Sequence, residues 1–219
     1  MQIQRFMKMV SDLTELLKSI PTRWDGKKAI LEMKETGYPH WRQMEWIGFY
    51  FQCLCERYLR DVMRIPGPQY GRVAFDGIYE IPWDFKAHVQ SSSLQVIVND
   101  LEAIQYGIRE YGAVGLILAS GEATFDDEQR TFYHWHERLK EGPSRYVKQR
   151  IARGARSRRR KVEFSLQEIL FLLITADTIK RHGEFQRGFR NSNGNPRRPK
   201  LKIDLRHLDG EILSRMRFK

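Results

Sequence analysis

The chain has 219 residues, 41% of them hydrophobic and 12% aromatic, which is enough to bury one good core, and no internal repeat or long flexible linker divides it. Its 38 Lys and Arg against 27 Asp and Glu leave a formal charge of +11 and a pI of about 9.8, which favours a polyanionic partner, nucleic acid first. No segment reaches the ~18 consecutive apolar residues of a membrane span, and Lys8, Asp12 and Glu15 interrupt any apolar core of a secretory signal, so a soluble, cytoplasmic protein with no membrane partner is expected.

Near the start, Trp24-Asp25-Gly26-Lys27-Lys28 suits either a DNA contact or a plain turn flanking a helix. After the turn at Gly37-Tyr38-Pro39, residues 41–59 read as a long, largely buried helix, with Met44, Ile47, Phe51, Leu54 and Tyr58 at helical spacing. Glu45 is the odd member, one acid among Met44, Trp46, Ile47 and Phe49. Cys53 and Cys55 stand two apart on that helix and point to different faces, so neither a disulfide nor a zinc site is expected.

The run from Val73 to Lys86 (Val-Ala-Phe-Asp-Gly-Ile-Tyr-Glu-Ile-Pro-Trp-Asp-Phe-Lys) then sets two carboxylates and a lysine in apolar surroundings. It reads as a hairpin, with Asp76 at or just past the end of the first strand. In the second strand a period of two sends Asp84 and Lys86 to one face. Oxygen ligands suit magnesium, which one or two carboxylates commonly hold together with substrate phosphate oxygens. Asp76 and Asp84 are the candidate ligands, helped by the Phe85 carbonyl, and Lys86 would sit beside the attacking water and the scissile phosphate. The bland alternative is an Asp–Lys pair on the solvent face of an antiparallel sheet.

Asp76, seven residues, then Asp84-Phe85-Lys86 resembles the PD-(D/E)XK nuclease signature, the active site of most type II restriction endonucleases; Phe75 stands where the proline would be. The resemblance implies an α/β, restriction-endonuclease-like core, with a mixed central sheet flanked by helices, and Mg²⁺-dependent phosphodiester hydrolysis in a prokaryotic cytoplasm. The family often places a further acid on the preceding helix. Glu45 is available there, either to support the metal or to anchor an internal ion pair.

Downstream, Asn99 and Glu102 form a capping-box-like start for a helix running to about Tyr111, with Gly112 as its stop. Val114-Gly115-Leu116-Ile117-Leu118-Ala119 reads as a central strand, reached through a helical crossover and parallel to a core strand. A further helix is expected over about 126–139, where His134 and His136 are too far apart around the axis to share an ion and are expected to be solvated. Ser165 with Glu168 caps a last core helix containing Ile169-Leu170-Phe171-Leu172-Leu173-Ile174.

Two basic segments frame that stretch. Residues 148–161 carry eight positive charges and no acid; Arg153, Arg156, Arg158, Arg159, Arg160 and Lys161 are the expected phosphate contacts. Residues 185–200 mix cations with amides, and Arg187, Arg190, Asn191, Asn193, Arg197, Arg198 and Lys200 are candidates to read base edges from a loop or hairpin tip. Lys200-Leu201-Lys202-Ile203-Asp204-Leu205 alternates like a strand.

One domain is expected, with a helical part (about 1–60), a catalytic core (about 61–145) and a basic DNA-contacting part (about 146–219). The function these readings add up to is a type II restriction endonuclease acting on double-stranded DNA, a homodimer if its target is palindromic. The alternatives are a structure-specific or repair nuclease of the same superfamily and a non-catalytic DNA-binding protein.

Overall fold

The structure is a computed structural model that describes residues 3–90, 95–142, 147, 148, 152, 154, 159–186, 188, 190, 195–208 and 213–218. Helix α1 (Ile3–Leu17) buries Phe6, Met9, Val10, Leu13 and Leu17, the spacing of a single apolar stripe. A short strand β1 (Arg23–Asp25) runs into α2 (Gly26–Glu35), and the Asp25 carboxylate accepts from the Lys28 N–H at 2.9 Å. Of the two readings of the Trp24–Lys28 segment, Asp25 thus takes the helix cap. A 3₁₀ turn (Pro39–Arg42) precedes α3 (Trp46–Leu59), whose apolar side is buried against β-structure to come.

The strands that follow are β2 (Gln69–Tyr70), β3 (Val73–Ala74), β4 (Gly77–Tyr79), β5 (Ile81–Val89) and β6 (Gln95–Asp100). Helix α4 (Leu101–Tyr111) ends at Gly112, whose φ of 81° lets its N–H turn back to the Ile108 carbonyl. Next come β7 (Val114–Phe125), α5 (Thr131–Leu139), β8 (Lys161–Ile174), α6 (Ala176–His182), β9 (Gly183–Gln186), β10 (Lys200–Asp204) and β11 (Leu213–Arg217).

The main sheet is mixed, in the order β4-β5-β7-β8, and the outer edge of β8 is shared by β1 and β11. The β4–β5 and β7–β8 pairs are antiparallel, whereas β5 and β7 are parallel, with Asp84 opposite Leu116 and Lys86 opposite Leu118. The crossover between those two strands passes through β6 and α4, as parallel pairing requires. The chain is therefore α/β with a mixed central sheet, and helices flank it: α1 and α2 against α3, α3 against β5, and α4 against β5 and β7. A Cβ on Gly107 of α4 would stand 2.5 Å from Val114 Cγ2, so that helix lies close on β7 because position 107 carries no side chain. A smaller sheet, β6-β10-β9, stands beside the main one.

Strand β7 is buried along residues 114–121, the expected central strand, and it runs on to Phe125. Residues 165–174 depart from expectation: they are not a helix but part of the long strand β8. The run Ile169–Ile174 is apolar enough for either form, but Val162-Glu163-Phe164-Ser165-Leu166-Gln167 before it alternates with period two, the strand signal. Helix α5 also starts later than expected, because Asp126 stays outside it and caps it, accepting from the Phe132 and Tyr133 N–H groups at 3.0 and 2.8 Å. His134 is exposed as expected, but His136 is fully buried, on the face that α5 turns inward with Phe132, and bonds the Trp41 carbonyl at 3.1 Å.

Candidate active site

Asp76 lies in the link between β3 and β4, and Asp84 and Lys86 occupy alternate positions of β5. The Asp76 carboxylate accepts from the Phe85 N–H (2.6 Å) through one oxygen and from Gln52 Nε2 of α3 (2.7 Å) through the other. Asp84, 1% exposed, receives Asn99 Nδ2 on both oxygens, at 3.1 and 2.9 Å. Asn99 Oδ1 in turn accepts the Asp100 N–H at 2.8 Å, which fixes the amide the right way round. Asn99 is thus no helix cap; it is the penultimate residue of β6 and holds the buried acid.

Charge explains why these groups need such support. Burial, joined by the Asp76 charge, pushes the Asp84 carboxyl up to about 6, against the opposite pull of Lys86, the Asn99 hydrogen bonds and Lys200. Burial also raises Asp76, opposed by Lys86, the Phe85 N–H and His40. Glu56 of α3 is half-buried and raised too, by desolvation first and then by Asp76, while the Tyr38 hydroxyl, which donates to it at 3.2 Å, pulls it down. Three acids and a lysine therefore share one electrostatic cluster. A cation between the carboxylates would relieve both their repulsion and their desolvation.

The helix acid in this cluster is Glu56, and Glu45 is corrected accordingly. Gln52 and Glu56 are one turn apart on a single face of α3, whereas Glu45 precedes the first turn. The Glu45 side chain is 74% exposed and pairs with Lys161 at 3.4 Å. Glu56 was legible in principle, since Gln52 and Glu56 make a polar i, i+4 pair on an otherwise apolar helix. Among the described residues no three His, Cys, Asp or Glu side chains form a ready metal cage. Two carboxylates and the Phe85 carbonyl, with substrate oxygens completing the shell, still match how magnesium is commonly held.

The basic residues divide. Arg160, expected on phosphate, is instead 3% exposed: its guanidinium bonds Glu137 Oε1 at 3.0 Å and lies 5.1 Å from the Tyr133 ring centre. Burial lowers its affinity for a proton and commits it to an internal pair rather than to solvent. Arg159 and Lys161 remain at the surface, in loose pairs with Glu128 (4.0 Å) and Glu45. Arg153, Arg156, Arg158, Arg187, Asn191 and Asn193 lie outside the described residues.

Strands β9 and β10 pair antiparallel as a hairpin, with Gln186 opposite Lys200, and Arg190 bridges Pro196. Arg197, Arg198 and Lys200 line a groove of about 160 Å³ with Ile97 and Gln186. Arg198 is within 3.6 Å of Glu102, and Lys200 is 3.1 Å from Asp100, the neighbour of Asn99. Lys200 acts on Asp84 as well, so the basic hairpin begins at the acidic cluster. Comparisons of the chain with protein-family models, curated proteins and solved structures found no match.

Proposed function

We propose that the chain is a magnesium-dependent type II restriction endonuclease that hydrolyses phosphodiester bonds at a specific site in double-stranded DNA. The observation that carries this reading is the set Asp76, Asp84 and Lys86, held at the junction of a hairpin with a parallel strand, in which Asp84 is buried and Asp76 half-buried against their electrostatic preference. Burying ionisable groups costs stability, and such costs concentrate where chemistry is done. The order hairpin, helix, parallel strand and the basic hairpin starting beside Asp84 support the same reading.

Asp76, Asp84 and the Phe85 carbonyl would hold the ion. When bound, magnesium supplies Lewis-acid polarisation of a phosphoryl oxygen and lowers the pKa of water. The chain's own groups do the rest. Lys86 orients the water and offsets the negative charge that grows on the phosphoryl oxygens. Gln52 and the Phe85 N–H fix Asp76, and Asn99 fixes Asp84, so that neither acid is free to turn away. Water adds to phosphorus and the bond to the sugar oxygen breaks, leaving a phosphate monoester and an alcohol. A homodimer would place two such sites on a palindromic target.

The test is incubation of plasmid DNA with and without Mg²⁺, alongside Asp84→Ala and Lys86→Ala. Discrete fragments that need Mg²⁺ and fall by about a thousandfold or more in both variants are expected. A smear would turn the reading to a nonspecific or structure-directed nuclease, and intact DNA with a gel shift would sink catalysis altogether.

A further inference from the structure

A second concavity opens at the far ends of β7 and β8. It holds about 230 Å³ and is lined on its apolar side by Met44, Trp46, Ile47 and Phe125, and on its polar side by Arg159, Lys161 and one acid, Glu45. An apolar cavity of roughly 150 Å³ accommodates benzene, so this one has room for a larger flat ring. Phe125 is 47% exposed, unusual for so large an apolar side chain, and stands directly opposite Lys161 across the two strands.

The charge around the pocket is positive. Arg160, which also lines it, belongs to a buried cluster in which Glu137 Oε1 serves both Arg160 and Lys140 (2.6 Å). The adjoining His136 imidazole, pushed down to about 4 by burial and by Lys140, is neutral near pH 7. Two cations thus share one buried carboxylate. The Arg160 Nε and Nη1 atoms have no hydrogen-bond partner among the described residues, and residues 143–158 contain no acid. The only further acid acting on the group, among the described residues, is exposed Glu45, whose pairing with Lys161 is of the weak surface kind.

An exposed aromatic face beside two surface cations, over a buried positive charge, fits a flat ring that carries an anion. We propose that this pocket binds one nucleoside monophosphate unit of nucleic acid, its base against Phe125 and its phosphate at Arg159 and Lys161. A base inside an intact duplex cannot offer its face, so the unit comes from an unpaired strand or a free nucleotide. The pocket is separate from the acidic cluster: Lys86 is paired with Leu118 on β7, and Phe125 is seven residues further along, roughly 23 Å at ~3.3 Å per residue. The inference shares with the proposed function only that the partner is nucleic acid.

The test uses the full chain with Asp84→Ala as the parent, so that bound DNA stays intact, and follows a labelled single-stranded oligodeoxynucleotide by fluorescence anisotropy. Phe125→Ala should weaken its binding about tenfold and Phe125→Trp should restore it, while binding of a blunt duplex changes less than about twofold. Arg159→Ala with Lys161→Ala should flatten the salt dependence by about 0.7 per lost phosphate contact. Deoxyadenosine monophosphate should displace the oligonucleotide where the same concentration of inorganic phosphate does not. Equal displacement by phosphate, or Phe125→Ala binding as tightly as its parent, overturns the proposal. Plasmid cleavage by the chain with Asp84 restored is scored in parallel. Uncut plasmid with the Phe125 effect present removes the nuclease reading and leaves this one; cut plasmid with no Phe125 effect does the reverse.

Discussion

Two clusters among the described residues take charge out of water in opposite ways. At the Asp76–Asp84–Lys86 cluster, acids predominate and each carboxylate is met by oriented donors: Gln52 and the Phe85 N–H on one, Asn99 on the other. At the Arg160–Glu137–Lys140 cluster, cations predominate, and a single carboxylate oxygen ties α5 to the start of β8. Donors that hold an acid in place while leaving it repelled by its neighbour prepare it for a cation. A carboxylate pinned between two cations instead joins two pieces of chain. Burial alone therefore does not identify a reactive group; the balance of charge around it does.

The widest gap between the two clusters should appear on removing an acid from each. Asp84→Ala should abolish Mg²⁺-dependent cleavage while leaving the fold intact by circular dichroism. Glu137→Ala should instead strand two buried cations at a cost of about 3–5 kcal/mol, which at ~2–4 °C per kcal/mol is about 6–20 °C in the thermal midpoint. A Glu137→Ala protein that melts like its parent would erase the distinction.

A subtler contrast lies in pH. The Asp84 carboxyl is raised in the folded chain to about 6, from an ordinary value of 3.8. Folding therefore favours its protonated form, and its contribution to stability is complete below about pH 4 and lost as pH rises through about 6, some two pH units or about 3 kcal/mol. Without metal, Asp84→Asn should accordingly gain in thermal midpoint over its parent between pH 4 and 7, and Mg²⁺ should narrow the difference. If the proposed function holds, cleavage should rise through the same range, because it is the ionised acid that would hold the ion.

Smaller effects should separate the supporting residues. Asn99→Ala removes both hydrogen bonds to Asp84, so the Mg²⁺ concentration for half-maximal cleavage should rise about 10–100-fold and the acid limb of the pH profile should move to higher pH. Glu45→Ala, which deletes only an exposed pair with Lys161, should change cleavage less than about twofold and stability by less than about 0.5 kcal/mol.

Much of the α/β frame is legible along the chain because it follows from local pattern. Val114–Ala119 has no polar residue to give it an outer face, so it is central, and Gly112 before it stops a helix in the one conformation glycine enters freely. Alternation likewise places Asp84 beside Lys86. What local pattern cannot supply is the partner. Ser165 and Glu168 imitate a capping box, yet they lie in a strand between β7 on one side and β1 and β11 on the other, where ladder pairing overrides the cap. Asn99 imitates a cap too, until β6 folds over β5 and Asp84 takes its amide. Glu45 stands just before, and Glu56 within, one largely apolar helix, and only the position of Asp76 against α3 decides between them. Arg160 belongs by composition to a basic tract, and it is the inward turn of α5 that withdraws it.

One consequence of the topology concerns association rather than chemistry. The outer side of β8 is covered over much of its length by two short strands, with β1 on residues 163–165 and β11 on 168–172. Bare strands of this kind invite pairing with another copy. Here Leu170 and Leu172 lie under β11, and Arg215 and Arg217 both reach Glu168, at 3.2 and 3.7 Å, which fixes the alignment of that five-residue clasp. The clasp brings cations to an edge that would otherwise be a long apolar template, and lifting residues 213–217 would bare residues 168–172 of β8 to pairing with another copy.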